Sequence, residues 1–304
     1  MAVTEGKWQV TIDAKNNSST AAQFIDTGIE VAIGYLLIIN VDPQQTWTPY
    51  ASYPQSTVDA NGISVLTKKI DGIYKEEPGA RSQEVNFQFP FGSLVGTVDG
   101  GRTYFPVGTH LEMTLLYQVT TPKLTLLFWG GDKNTNSGSI TVNVELRKAL
   151  NFDDKIDPKF LDADYFDVHA QIHSPGTKNF LDTGIKLQLG DLLIVNLDPK
   201  DLWNLSNTDS NWNLNANGVR ASNKTLVDPT SNGNFPSFVL ARGSLIGTLD
   251  GGQTLFPVGT HLEMTVLNPG SLSLMLWDDN NNNDNRGSLR AFIKVVRRAI
   301  PVAA

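Results

Sequence analysis

The 304-residue sequence predicts an all-β protein organised as two tandem antiparallel β-sandwich domains, on three observations. Residues 92–114, GSLVGTVDGGRTYFPVGTHLEMT, return at 243–265 as GSLIGTLDGGQTLFPVGTHLEMT, identical at 19 of 23 positions with an offset of 151. A second block, FIDTGIEVAIGYLLIINVDP at 24–43, returns as FLDTGIKLQLGDLLIVNLDP at 180–199. Apolar residues alternate with a period of two in many short runs, the signature of half-buried strands. A repeat of roughly 140 residues is far too long for a solenoid and suits a domain. The expected boundaries are residues 1–148 and 165–304, joined by a linker at 149–164.

Along each repeat the strands read in order. Trp8, Val10 and Ile12 alternate with Gln9 and Thr11, and Ile140, Val142, Val144 and Leu146 alternate with Thr141, Asn143 and Glu145. The continuous runs YLLIINV at 35–41 and LTLLFW at 124–129 are short and β-branched, as strands buried on both faces are. Asp-Gly-Gly at 99–101 and 250–252 marks a tight hairpin before the FPV of each repeat. Proline cannot donate to a ladder, so Pro106 and Pro257 belong at a strand edge or entrance. Between the repeats, ALNFDDKIDPKFLDADYF at 149–166 loses alternation and collects acidic residues, which reads as a packed connection with a short helical turn. The closing RRAIPVAA reads as a frayed end or a small contact with a neighbour.

Composition removes several function classes. The net charge of −7 lacks the basic face that phosphate binding needs, which argues against nucleic acid and an anionic membrane surface. With no cysteine there is no disulfide, thiolate metal site or cysteine nucleophile. No segment approaches the roughly 20 apolar residues of a membrane-spanning helix. The amino end lacks a basic, then apolar, leader, so the expected location is cytoplasmic, or exported without a recognisable signal peptide. No serine elbow, P-loop or dinucleotide fingerprint occurs. Asp278 and Asp279 are adjacent, and neighbours on a strand point to opposite faces, so they make a poor acid–base pair across one bond.

The segment richest in chemistry is WDDNNNNDNRGS at 277–288, in which positions 278–285 are three aspartates and five asparagines. Calcium takes six to eight oxygen ligands, and this loop offers them, although the spacing is not that of an EF-hand. A solvated turn-forming loop explains the same composition equally well. The corresponding WGGDKNTNSGS at 129–139 has fewer carboxylates and gains Lys133, which opposes a divalent ion. Four histidines are present. His110 and His261 recur within PVGTHLEM and read as structural or surface strand residues, and His169 and His173 lie in a strand-like region without helical metal-pair geometry.

The order of these motifs resembles the PA-IL-like bacterial galactose-binding lectins: a DTGI strand, GDLLIVNLDP leading to a tryptophan, Ala-Asn-Gly, the GSLIGTLDGG–FPVGT hairpin, and an apolar strand entering an Asx-rich loop that closes in Gly-Ser. The resemblance covers about residues 7–148 and 165–298 and implies a jelly-roll, galactose-binding-like sandwich that binds calcium and sugar without catalysis. It places calcium ligands at Asp279, Asp284, Asn285 and the carbonyl of Leu197 in the second repeat, and at Asp132, Thr135, Asn136 and the carbonyl of Val41 in the first. Sugar contacts are implied at Asp279, Asp284 and Asn285, with Asn217, Asn215, Trp212 and Asn61 in place of the family's histidine and glutamine, and with Trp203 or Trp212 against an apolar sugar face. The second loop is about two residues shorter than the family's, and Asp284 replaces an amide.

The implied function is a calcium-dependent, galactoside-type lectin with two tandem sites and avidity from their linkage. Its expected partners are glycans, with homo-oligomer or particle assembly left open. The alternative is a structural or adaptor β-sandwich module of a secreted or phage-like particle, with a degenerate sugar site.

Overall fold

The computed structural model describes residues 3–19, 25–50, 57–63, 89–101, 103–116, 123–130, 133–148, 163–175, 179–206, 208–219, 240–252, 254–278 and 283–297. The first repeat contributes β1 (Gly6–Asp13), β2 (Ile25–Glu30), β3 (Tyr35–Val41), β4 (Ser93–Thr97), β5 (Phe105–Pro106), β6 (His110–Thr114), β7 (Lys123–Trp129) and β8 (Ser139–Lys148). The second contributes β9 (Asp164–His169), β10 (Leu181–Leu187), β11 (Leu192–Leu197), β12 (Trp203–Asn204), β13 (Asn213–Leu214), β14 (Ser244–Thr248), β15 (Phe256–Pro257), β16 (His261–Thr265), β17 (Gly270–Trp277) and β18 (Ser288–Val296). All strand pairings between these elements are antiparallel, and no α-helix occurs among the described residues. The all-β, antiparallel sandwich class expected from the sequence is the observed one.

Two four-stranded sheets, β2-β7-β4-β5 and β10-β17-β14-β15, belong one to each repeat. The other layer is shared: a single eight-stranded sheet runs β1-β8-β3-β6-β16-β11-β18-β9. Each repeat thus keeps its four strands contiguous, but the repeats do not close as separate sandwiches. They join where β6 pairs with β16, with Glu112 opposite Glu263, flanked by Met113 opposite Leu262 and Leu111 opposite Met264. Glu112 and Glu263 are equivalent positions of the repeat, so the junction is a self-complementary, two-fold-like contact inside one chain. Side chains add to it: Thr114 Oγ1 donates to His261 O at 3.4 Å and Thr265 Oγ1 to His110 O at 3.3 Å. Leu111, Met113, Leu262 and Met264 all belong to one core cluster that spans both repeats.

The alternation seen in sequence sets the core. Leu37, Ile39, Val142, Val144, Leu193 and Val195 point inward and are buried, and the apolar stretch of β3 buries Leu36 and Ile38 on the opposite face as well. Trp47 and Trp203 close the core, each fixed by an indole N–H donated to a backbone carbonyl, Gly92 O at 2.7 Å and Gly243 O at 2.9 Å. Pro106 and Pro257 lie on β5 and β15, the edge strands of their sheets, where a missing donor costs no ladder bond. In each preceding turn an aspartate accepts bonds from its neighbours: Thr97 Oγ1 donates to Asp99 at 2.8 Å, and Thr248 Oγ1 to Asp250 at 2.8 Å. The connection is seven residues long, 98–104, and therefore longer than the tight hairpin expected. Most of the linker, 149–162, lies outside the described residues, as does the basic-apolar tail from 298 onward. The linker's last residues are strand: β9 already begins at Asp164 and carries Tyr165 and Phe166.

Candidate functional site

The Asx-rich loops lead from β7 into β8 and from β17 into β18. Gly138 and Gly287 close them with positive φ of 91° and 85°, a conformation that L side chains rarely adopt. Each loop is then bridged to the segment after β3 or β11. Thr48 and Ser137 exchange backbone bonds of 2.8 and 2.9 Å, and Asn204 and Arg286 do the same at 2.8 Å each.

Immediately before each bridge sits a buried asparagine. Asn285 is fully buried and Asn136 is 3% exposed. Their amides donate to equivalent carbonyls, Asn285 Nδ2 to Ala170 O at 3.4 Å and Asn136 Nδ2 to Ala14 O at 3.1 Å. This leaves Asn285 Oδ1 and Asn136 Oδ1 buried with no donor, and Asp284 Oδ1 is in the same state. A buried acceptor without a partner costs about 1–3 kcal/mol, and here it recurs at the same position of both repeats. In the first repeat the neighbouring Thr135 instead donates its hydroxyl to Pro49 O at 3.3 Å. Acceptor oxygens turned inward with no donor are the chemistry that a hard cation satisfies, so these residues fit calcium.

The turns beneath the two asparagines are built alike. Asn17 N donates to Asp13 O at 2.9 Å and Asp13 N to Asn17 Oδ1 at 2.8 Å, while His173 N donates to His169 O at 2.8 Å and His169 N to His173 Nδ1 at 3.0 Å. The i, i+4 histidines are thus a turn device. Burial, with help from His169, pushes the His173 imidazole below its ordinary value.

Several expected site residues serve the interior instead. The carbonyls of Leu197 and Val41 are not at the loops: Leu197 lies opposite Ala291 and Val41 opposite Val142. That is about 10 Å of regular strand from the loop ends, whereas ligands of one calcium lie within about 5 Å of each other. The segments apposed to the loops are Thr48–Pro49 in the first repeat and Asn204 in the second. Asn61 and Asn217 are buried, and each carbonyl oxygen accepts from the next Val-Gly-Thr. Asn61 Oδ1 takes Thr109 N at 2.9 Å, and Asn217 Oδ1 takes Thr260 N at 2.8 Å. Gly108 and Gly259 permit this approach, since a Cβ there would meet the Oδ1 at 2.6 Å in both repeats. Asn215 is also buried, donating to Pro199 O at 3.1 Å and accepting from Asn217 N at 3.0 Å. These amides define the loop path, so Asn61, Asn215 and Asn217 do not face a sugar. Trp203 is 1% exposed and closes the core rather than covering a ligand. Trp212 is partly buried, and the Arg242 guanidinium lies 4.8 Å from its ring centre.

Asp132 and Asp279 fall outside the described residues. Asp278 is not a loop oxygen but a buried carboxylate that accepts from Arg242 Nε at 2.6 Å. Comparison of the repeats signals this pair: Arg242 and Asp278 stand where the first repeat has Phe91 and Gly130.

No family model matches the chain, and no curated protein matches it. Eight chains among the solved structures do. One is described as the EclA N-terminal domain, a PllA-like lectin; it is 21% identical, and the match covers 43% of this chain and 95% of that one with a TM-score of 0.29. No described helix is long and apolar enough to cross a membrane.

Proposed function

We propose that the protein is a non-enzymatic, calcium-dependent carbohydrate-binding protein with one site at each Asx-rich loop. The observation that carries this reading is the set of buried acceptor oxygens without donors, Asp284 Oδ1 and Asn285 Oδ1, echoed by Asn136 Oδ1 in the first repeat. In the second repeat Asp284 and Asn285, with Asp279, would hold the ion; in the first, Thr135 and Asn136, with Asp132. Bound calcium supplies open coordination positions for neighbouring sugar hydroxyls. The protein's own contribution is to fix the two acceptors through the Ala170 and Ala14 carbonyls and to hold the loop by the bridge to β12 or to Thr48. The ordered motifs that resemble the PA-IL-like lectins make a galactoside the first ligand to test. The second repeat carries an added carboxylate at Asp284, which favours tighter calcium binding there.

The test is calorimetric titration with calcium, followed by a broad glycan panel at saturating calcium and again with chelator. Calcium binding with chelator-sensitive glycan retention supports the proposal; no calcium binding defeats it. Calcium binding without any glycan retention favours the structural or assembly module. The interior engagement of Asn61, Asn215 and Asn217 gives that second reading its support, because it withdraws three of the expected sugar contacts.

A further inference from the structure

The junction of the two repeats gathers a second set of metal-type donors, independent of the Asx loops. In both repeats the sequence HLEMT places a histidine and a glutamate two apart on a strand, hence on one face. The β6–β16 register sets Glu112 directly opposite Glu263, and each histidine diagonally against the other strand's glutamate. His261 Nε2 is 3.2 Å from Glu112 Oε2 and 4.0 Å from Glu263 Oε1, and His110 Nε2 is 3.6 Å from Glu263 Oε2. Donor atoms of His110, Glu112 and Glu263 all lie within 4.8 Å of one another. All four side chains are between 13% and 25% exposed, well shielded from water.

Two details separate this cluster from an ordinary ion-pair patch. Like charges directly opposite in a sheet repel, and this pair is duplicated from one repeat position rather than replaced. Furthermore, each imidazole is held from behind: His110 Nδ1 is 2.7 Å from Asn40 Oδ1, and His261 Nδ1 is 2.8 Å from Asn196 Oδ1. An amide oxygen only accepts, so Nδ1 donates to it and Nε2 is the nitrogen aimed at the carboxylates, where His261 Nε2 is hydrogen-bonded to Glu112 Oε2 at 3.2 Å. A proton-bearing Nδ1 bonded to a carbonyl is the usual outer support of a metal-binding histidine. A divalent ion between the strands displaces the Nε2 proton now shared with the carboxylates, and the four groups then become its ligands.

We propose that His110, Glu112, His261 and Glu263 form a closed transition-metal site of the zinc class that staples the two repeats together. Two imidazole nitrogens and two carboxylates suit a tetrahedral zinc-type ion, whereas calcium takes oxygen donors only. Four protein ligands leave no open position, so the role is structural. Ligand atoms at zinc distances stand about 3.3 Å apart, and the His–Glu spacings of 3.2, 3.6 and 4.0 Å are already near that.

The experiment uses the full chain stripped by chelator and titrated with zinc alone, with cobalt as the spectroscopic probe. The expected result is one zinc per chain, intense visible absorption of tetrahedral cobalt, and a zinc-dependent rise in melting temperature. Affinity should fall at least 100-fold in the double variant His110→Gln/His261→Gln. It should fall about 10-fold or more in Asn40→Ala or Asn196→Ala, the size of loss seen for outer supports. The isosteric Glu112→Gln, checked for folding by circular dichroism, should also weaken zinc. Asp284→Ala/Asn285→Ala should leave zinc binding intact, which separates this site from the calcium loops. No zinc binding by the folded native chain, or equal zinc affinity in the His110→Gln/His261→Gln variant, overturns the proposal.

Discussion

Arg242 donates its Nε–H to Asp278 Oδ1 at 2.6 Å, and the Asp278 side chain is wholly shielded from water. The first repeat answers the same packing problem with Phe91 stacked on Tyr50, ring centres 5.5 Å apart, and with Gly130 at the aspartate position. An ion pair over Trp212 and an aromatic stack are thus alternative fillings of one site. Removing one partner of a buried pair strands a charge. Arg242→Ala is therefore expected to cost about 3–5 kcal/mol in urea unfolding, whereas the double replacement Arg242→Phe/Asp278→Gly costs much less. Equal losses in the two variants would show that the pair is not what holds this corner.

The buried amides of the Ala-Asn-Gly turns are expected to behave as scaffold. Asn217→Ala leaves the Thr260 N–H without its acceptor, and about 1–3 kcal/mol of stability should be lost. Calcium affinity at the loop should stay within about twofold, because Asn217 faces Thr260 and not the Asx pair. Asn285→Ala should do the reverse at the loop and abolish calcium binding in the second repeat. Calorimetry and thermal unfolding on the same two variants distinguish the roles.

The two loops should differ in strength through charge. Asp284→Asn is expected to weaken the tighter calcium site about 10-fold, and Thr135→Asp to strengthen the weaker one by a similar factor, since ligand charge is a main determinant of calcium affinity. Two sites of equal affinity in the native chain would count against this assignment.

His173 should make the second repeat acid-sensitive. Its imidazole sits below the ordinary 6.5 in the folded state, chiefly through burial. In the unfolded chain the ring therefore takes up a proton first, so its contribution is fully present above about 6.5 and declines as pH falls through the window below it. Protonation at Nδ1 also removes the acceptor for His169 N. His173→Asn, which copies Asn17 of the first repeat, is expected to flatten the stability profile below about pH 6.5. An unchanged profile in that variant would assign the acid sensitivity elsewhere.

By itself the sequence determined the strand class, the duplication, the edge placement of Pro106 and Pro257, and the oxygen-rich character of the two loops. These follow from local physics: period-two burial, the missing proline donor, and the side-chain chemistry of Asp and Asn. Only the tertiary structure decided which of those side chains face inward on each other. Register, not composition, moved Leu197 and Val41 away from the loops and gave Asn61 and Asn217 to the Val-Gly-Thr turns. Pairing across 149 residues brought His261 to Glu112, which no local pattern marks. The union of two repeats in one sheet was equally invisible, because β6 and β16 present the same edge whether the partner strand lies in another molecule or later in the same chain. Hydrogen-bond ladders do not encode that choice; the length and course of the whole chain do.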